Sequence, residues 1–204
     1  MTSPLSTPPA IAAGTLAAGP QPLLSADGGL LLRPWEAADA PVFLAAYRDP
    51  EIRHWHTRQP ASEDRVRAWF EQYRRDWAEE RGGHWAVTRG GGEVLGRIAM
   101  RGMDFDDGVA GCAYWVLPAA RGARVGARAL TALSDWGLGV AGFHRLELEH
   151  STRNVASCRV AETSGFRLEG TKRCSAVHTD GRHDMHLHAR IRSDDVVLEP
   201  ASLN

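Results

Sequence analysis

The feature that most narrows the fold is a strand that breaks, through a loop of small residues, directly into a helix. Ala110 to Leu117 reads as a strand halted by Pro118, and Val125, Ala129, Ala132, Leu133 and Trp136 repeat at helical spacing a few residues later. Between them lies Ala119-Ala120-Arg121-Gly122-Ala123-Arg124. Small residues let a backbone come close to a ligand. The first N–H groups of a helix lack internal partners and sit at the positive end of its dipole, so such a turn suits an anion, a pyrophosphate included. Arg121 and Arg124 add guanidinium charge within reach of phosphate oxygens. The Gly-Lys-Ser/Thr of a Walker loop is missing, and the spacing is wrong for a dinucleotide fingerprint.

The rest of the chain divides simply. Residues 1–27 are rich in Pro, Ala, Gly, Ser and Thr and carry no charge until Asp27, which predicts a disordered leader. One domain is expected over 28–193 and a flexible tail over 194–204. A strand at Leu30 to Arg33 stops at Pro34. A helix then starts at Asp39 as N-cap, with Pro41 in its first turn and Val42, Phe43, Ala46 and Tyr47 on one stripe, and ends at Arg48-Asp49-Pro50. A second helix from Ser62 carries Val66, Trp69, Phe70, Tyr73 and Trp77 and closes at Gly82-Gly83. Strands at 84–88, 94–100 and 110–117 form an antiparallel meander. Helices at 125–137 and 155–164 flank a strand at 145–150. Strands at 166–177 and 183–191 close the chain around Asp180-Gly181, a hairpin signal.

Composition excludes several classes. The chain of 204 residues has 24 Lys+Arg against 25 Asp+Glu, so no global positive field recruits nucleic acid. No apolar run approaches the roughly 18–20 residues that span a bilayer, and no basic residue precedes the apolar patch Ala10-Ile11-Ala12-Ala13, so neither a membrane nor a secretory route is expected. Three cysteines, Cys112, Cys158 and Cys174, form no CxxC and read as reduced thiols of a cytoplasmic protein. His186 and His188 share a strand face with His183 and Asp184 nearby, a set that can ligate zinc. Alternation in a half-exposed strand explains them equally well, and no metal is expected.

Arg121-x-x-Arg124-x-Gly126 resembles the coenzyme A loop of the GNAT acetyltransferase superfamily, Q/R-x-x-G-x-G/A. Downstream, Asn154-Val155-Ala156-Ser157, then Val160-Ala161-Glu162 and Gly165 to Gly170, is similar to the Rim-type branch that acetylates ribosomal-protein N-termini, as is the closing strand Asp184 to Ile191. The resemblance covers about Leu30 to Ile191. It implies an α+β fold with a central mixed, mostly antiparallel sheet flanked by helices, and acetyl-CoA as acyl donor. It places the coenzyme on Val116, Leu117, Arg121, Gly122, Ala123, Arg124, Val125, Gly126, Ala127 and Asn154. Three departures stand out. Arg124 replaces the middle glycine, Ala161 replaces a helix tyrosine that protonates the leaving thiolate in many members, and Gly111 replaces a strand glutamate.

Ser157 matches the serine that the Rim-type branch is thought to use toward the thiolate, although it is also placed to cap a helix. His150, at the end of the strand beside the loop, is the candidate base or water-positioner, since an imidazole accepts protons near neutral pH. Cys158 sits mid-helix without an evident base, which favours direct transfer over an acyl-enzyme. The acceptor is a primary amine, a protein N-terminus or a small molecule such as an aminoglycoside or polyamine. The segment His54-Trp55-His56 is expected to help form its groove, and the closing strands point to a homodimer. A coenzyme A-binding module without catalysis is the third reading.

Overall fold

The structure, a computed structural model, describes residues 7–195. Its centre is an eight-stranded sheet of order β1-β2-β3-β4-β5-β6-β8-β7. Strands β1 (Leu24–Ala26) and β2 (Leu30–Pro34) pair antiparallel, and β3 (Gly82–Arg89), β4 (Val94–Asp104) and β5 (Val109–Val116) continue as the expected meander. β6 (Arg145–Ser151) joins β5 in parallel, and β8 (Gly181–Ile191) pairs antiparallel with both β6 and the edge strand β7 (Arg167–His178). The fold is thus α+β with a mixed, mostly antiparallel sheet.

Helices cover both faces. α1 (Ala40–Ala46), α2 (Pro50–Trp55) and α3 (Glu63–Ala78) lie over one aromatic core holding Trp35, Phe43, Phe70 and Trp115. α4 (Val125–Gly139) and α5 (Val155–Thr163) cover a larger core built on Trp85, Ile98, Leu130, Leu133 and Leu146. Successive residues of one strand feed opposite cores, Trp85 and Val87 one and Ala86 the other, as the two-residue period of a strand requires.

Local chemistry explains where the elements start and stop. Ser62 caps α3 by accepting from the Arg65 N–H at 3.2 Å. Asp39 precedes α1 but does not cap it with its side chain. Its carboxylate instead grips Arg33 in a buried, two-pronged pair at 2.7 and 2.9 Å. α2 is a helix that the apolar pattern does not announce. Asp49 accepts from the Ile52 N–H at 2.9 Å and Pro50 takes the first turn, so the break after α1 is also a start. Gly82 and Gly83 do not cap α3 but open β3. The Trp85 ring lies where a Cβ on Gly83 would be, which is why that residue has no side chain.

The leader departs most from expectation. From Ala10 onward it is laid against the domain. Ile11 and Leu16 are buried in the larger core, and the Trp77 and Trp85 indoles donate to the Gly19 and Pro22 carbonyls at 2.9 and 2.8 Å. Glu80 accepts from the N–H groups of Gly14, Leu16 and Ala17. Low charge and absent periodicity do not register long-range hydrogen bonds of this kind. The remainder of the leader, residues 1–6, and residues 196–204 of the expected tail lie outside the described residues. Among the described residues, no helix is long and apolar enough to cross a membrane.

Candidate active site

The sheet comes apart at its centre. β5 and β6 pair from Val109 with Arg145 to Cys112 with Leu148 and then diverge, while Glu149 to Ser151 stay paired with β8. On its other side β5 remains bound to β4, where the Leu117 N–H donates to the Leu95 carbonyl at 2.8 Å. N–H groups alternate along a strand, so those of Val116 and Tyr114 face the opening. A parallel pair that parts in this way leaves main-chain donors at the mouth of a cleft.

The loop beyond β5 completes that cleft. Pro118–Ala120 form one 3-10 turn, Gly122 takes φ +81°, and Arg124 takes the left-handed conformation at φ 56° and ψ 20° immediately before α4. Among the described residues, the N–H groups of Gly122 to Ala127 find no hydrogen-bond acceptor. Gly126 sets how close α4 comes to β5, since a Cβ there would stand 3.3 Å from the Tyr114 ring and 3.4 Å from Val116 Cγ2. The loop and the first turn of α4 therefore present a run of unpaired main-chain donors.

The arginines divide. Arg121 does not extend into the cleft. It pairs with Asp49 at 2.6 Å and Glu51 at 2.8 Å, tying the loop to α2. Arg121 beside Asp49, with the Ile52 N–H, holds that carboxyl below its usual range against the opposing effect of burial, the largest single influence on it. Arg124 is exposed. Its left-handed backbone gives a reason for the family's glycine at this position: the conformation, rather than the amide alone, favours a residue without Cβ.

Across the cleft, α5 presents its first turn. Asn154 is the N-cap, with Oδ1 accepting from the Ser157 N–H at 3.0 Å. Ser157 is therefore not the cap. It is buried, and its Oγ accepts from the Tyr114 hydroxyl at 3.1 Å. This bond links β5 to α5 over the gap between β5 and β6. Burial pushes the Tyr114 hydroxyl up to about 12, with the bond to Ser157 pulling the other way, so the phenol keeps its proton at neutral pH. Ala161 is fully buried in the larger core, which accounts for its size.

His150 is buried at the end of β6. Its Nδ1 donates to the Ser151 carbonyl at 2.9 Å, which fixes the lone pair on Nε2, and that atom is buried without a partner. Burial lowers its pKa and keeps the ring neutral. The neighbours of His150 are His188 and His186, at ring separations of 5.0 and 5.5 Å. His183, expected near these two, instead binds Ser151 Oγ and Asp180, each at 2.8 Å, while the Asp184 carboxylate accepts from the Cys174 N–H. Burial and the neighbouring Glu162 raise the Cys158 thiol pKa, the opposite of an activated nucleophile.

The segment His54-Trp55-His56 passes beside this assembly. The His54 carbonyl accepts from His178 at 3.2 Å, the Trp55 ring meets the His178 ring edge-on, and burial with the Arg97 charge pushes His56 down to about 4. The other face of the divided sheet holds a groove of about 350 Å³ lined by Arg101, Gly111, Glu147 and Glu149. Sequence reasoning missed this groove and the role of Tyr114. The groove had a signal: Glu147 and Glu149 alternate with Leu146 and Leu148, which puts both carboxylates on the face away from α5. A recess of about 550 Å³ beside Glu162 to Leu168 lies apart from the loop.

A family model described as an acetyltransferase (GNAT) domain matches residues 29–167. No curated protein matches the chain. Among solved structures, the chain is similar to RimL, a ribosomal α-N-protein acetyltransferase in complex with coenzyme A, with a TM-score of 0.79 and 17% identity over 85% of this chain and 100% of that one. Mycobacterium smegmatis RimJ, in complex with a coenzyme A disulfide, gives 0.76 and 20% over 85% and 87%. A ribosomal-protein alanine acetyltransferase from Vibrio fischeri gives 0.77 and 16% over 85% and 98%. At these identities the likeness is one of fold.

Proposed function

The chain belongs to the GNAT acetyltransferase family and is an acyl-CoA-dependent acetyltransferase; from there we propose that its acceptor is a protein N-terminal α-amine and that the acetyl group passes to it directly within a ternary complex. The observation that carries this reading is the row of unpartnered N–H groups from Gly122 to Ala127 beside the gap between β5 and β6. Those amides suit a diphosphate, and the gap suits the extended arm that follows it. Asn154 caps the helix that carries Ser157, whose hydroxyl meets Tyr114 beside the gap. Structures of similar fold include Rim-type enzymes whose substrates are ribosomal proteins, which supports a protein N-terminus as acceptor.

Each step of the transfer has a residue to serve it. The Val116 N–H points into the gap and donates to the thioester carbonyl oxygen as negative charge grows there. The attacking nitrogen forms a bond to the carbonyl carbon, and the carbon–sulfur bond breaks. Ser157 gives its hydroxyl proton to the departing sulfur and recovers one from Tyr114, whose hydroxyl already donates to Ser157 Oγ and which takes a proton back from solvent once the thiol has left. The proton released by the amine passes through water to Nε2 of His150. An α-amine with pKa near 8 supplies a fair neutral fraction at pH 7–8, so a stronger base is not required.

The test is thiol release from acetyl-CoA with a panel of acceptors. A peptide with a free N-terminus is expected to be turned over, and the same peptide with a blocked N-terminus is not. Turnover of aminoglycosides or polyamines alone would move the acceptor to small molecules. Tight coenzyme A binding without turnover of any amine would favour a binding module, a reading that Ala161 in place of the family's tyrosine supports. Intact-mass measurement after incubation with acetyl-CoA alone is expected to show no acetyl-enzyme.

A further inference from the structure

We propose that His150, Cys158, His186 and His188 form a site for one divalent transition metal, with zinc the best fit to the donor set. Two strands and a helix assemble it. The antiparallel register of β6 and β8 sets His150 directly opposite His186, and His188 follows two residues on, on the same face. α5 lies over that face and brings Cys158 down onto it. One donor atom from each of the four side chains falls within 4.8 Å of the others. The three imidazole rings stand 5.0, 5.5 and 5.9 Å apart, and Cys158 Sγ is 3.7 Å from His188 Nε2. A tetrahedral zinc with bonds of about 2.0–2.3 Å holds its donors roughly 3.3–3.6 Å from one another. Small side-chain rotations close the difference.

A second observation is independent of the spacing. His150 Nε2 and His186 Nδ1 are buried without a hydrogen-bond partner among the described residues, and His188 meets Cys158 through its Nε2. Buried polar atoms are rarely left so, and two on facing positions of adjacent strands call for a shared partner. His150 already has the arrangement typical of a ligand, with its other nitrogen donating to the Ser151 carbonyl and the tautomer thereby fixed. Three neutral imidazoles and a thiolate are borderline-soft donors, which select zinc, cobalt or nickel over calcium or magnesium. Binding displaces the Cys158 thiol proton, for which the Glu162 carboxylate at 3.6 Å is an acceptor on the way to solvent. His183 and Asp184, grouped with His186 and His188 from the sequence, are not members, because their donor atoms are committed to Ser151, Asp180 and Cys174.

The assay is titration of chelator-treated full-length protein with Co²⁺. One equivalent is expected to bind, with visible bands of a tetrahedral centre and a near-ultraviolet thiolate-to-cobalt band, and to be displaced by Zn²⁺. Cys158→Ser is expected to lose the thiolate band and retain the visible ones. His186→Ala, at a half-buried position, is expected to weaken binding more than about tenfold while the far-ultraviolet circular dichroism stays unchanged. Absence of stoichiometric binding by folded protein overturns the site, as does a His186→Ala variant that binds cobalt like the parent. These readouts do not involve acetyl transfer. A bound metal takes the Nε2 lone pair assigned above to the amine proton, so slower turnover of metal-loaded protein supports that base assignment. Equal turnover removes His150 from the chemistry and leaves the metal site standing.

Discussion

Arg124 carries a left-handed backbone at φ 56°, a conformation that costs an L-residue with a side chain roughly 1 kcal/mol. Arg124→Gly is expected to stabilise the protein by up to about 1 kcal/mol, a few degrees in Tm, with coenzyme A affinity lowered by the loss of one guanidinium but not abolished, because the amides stay in place. Calorimetric melting checks the first part and titration calorimetry the second. Across the gap, Ser157→Ala is expected to lower kcat about 10²-fold with KM for acetyl-CoA little changed, since it removes a proton donor and no binding group. Tyr114→Phe is expected to lose less, because water can still relay to Ser157. Equal turnover in parent and Ser157→Ala would remove the serine from the chemistry. The amide loop was readable from residue type because small residues before a helix have few other uses. The Tyr114–Ser157 bond was not, since it joins side chains 43 positions apart through strand divergence that no local pattern encodes.

At the scale of elements, α3 and the segment before β1 depend on one another. Glu80, just past α3, receives three N–H groups from residues 14–17 at 2.7–3.1 Å, and those donors hold its carboxyl below the usual range against the effect of burial. Glu80→Ala is expected to free that segment, seen as faster protease cleavage before Leu24 and a loss of about 1–3 kcal/mol in urea unfolding. Unchanged cleavage would show that Ile11 and Leu16 hold the segment by burial alone. Strong periodicity announced α3 and α4. α2 escaped because six residues show little apolar period, and what defines it is Asp49 as cap and Pro50 in the first turn. The same Asp-Pro pair was read as a stop, since the residue before proline avoids helix.

For the molecule as a whole, stability should depend on pH through His84. Burial, with the charges of Arg97 and Arg101, pushes its pKa down to about 2, while the unfolded chain titrates near 6.5. Between these values unfolding takes up a proton, so the contribution is complete above pH 6.5 and is lost as pH falls toward 2, at about 1.4 kcal/mol per unit. Urea unfolding at pH 7.5 and 5.5 should differ by about 1 kcal/mol in the parent and by less in His84→Gln. A sheet whose two parts share only the four rungs from Val109 to Cys112 has a further consequence. The amides of Tyr114 and Val116 lack a neighbouring strand, so they should exchange with deuterated solvent orders of magnitude faster than those of Ile98 or Leu146, interior strand positions, and a ligand threading the opening should slow them selectively.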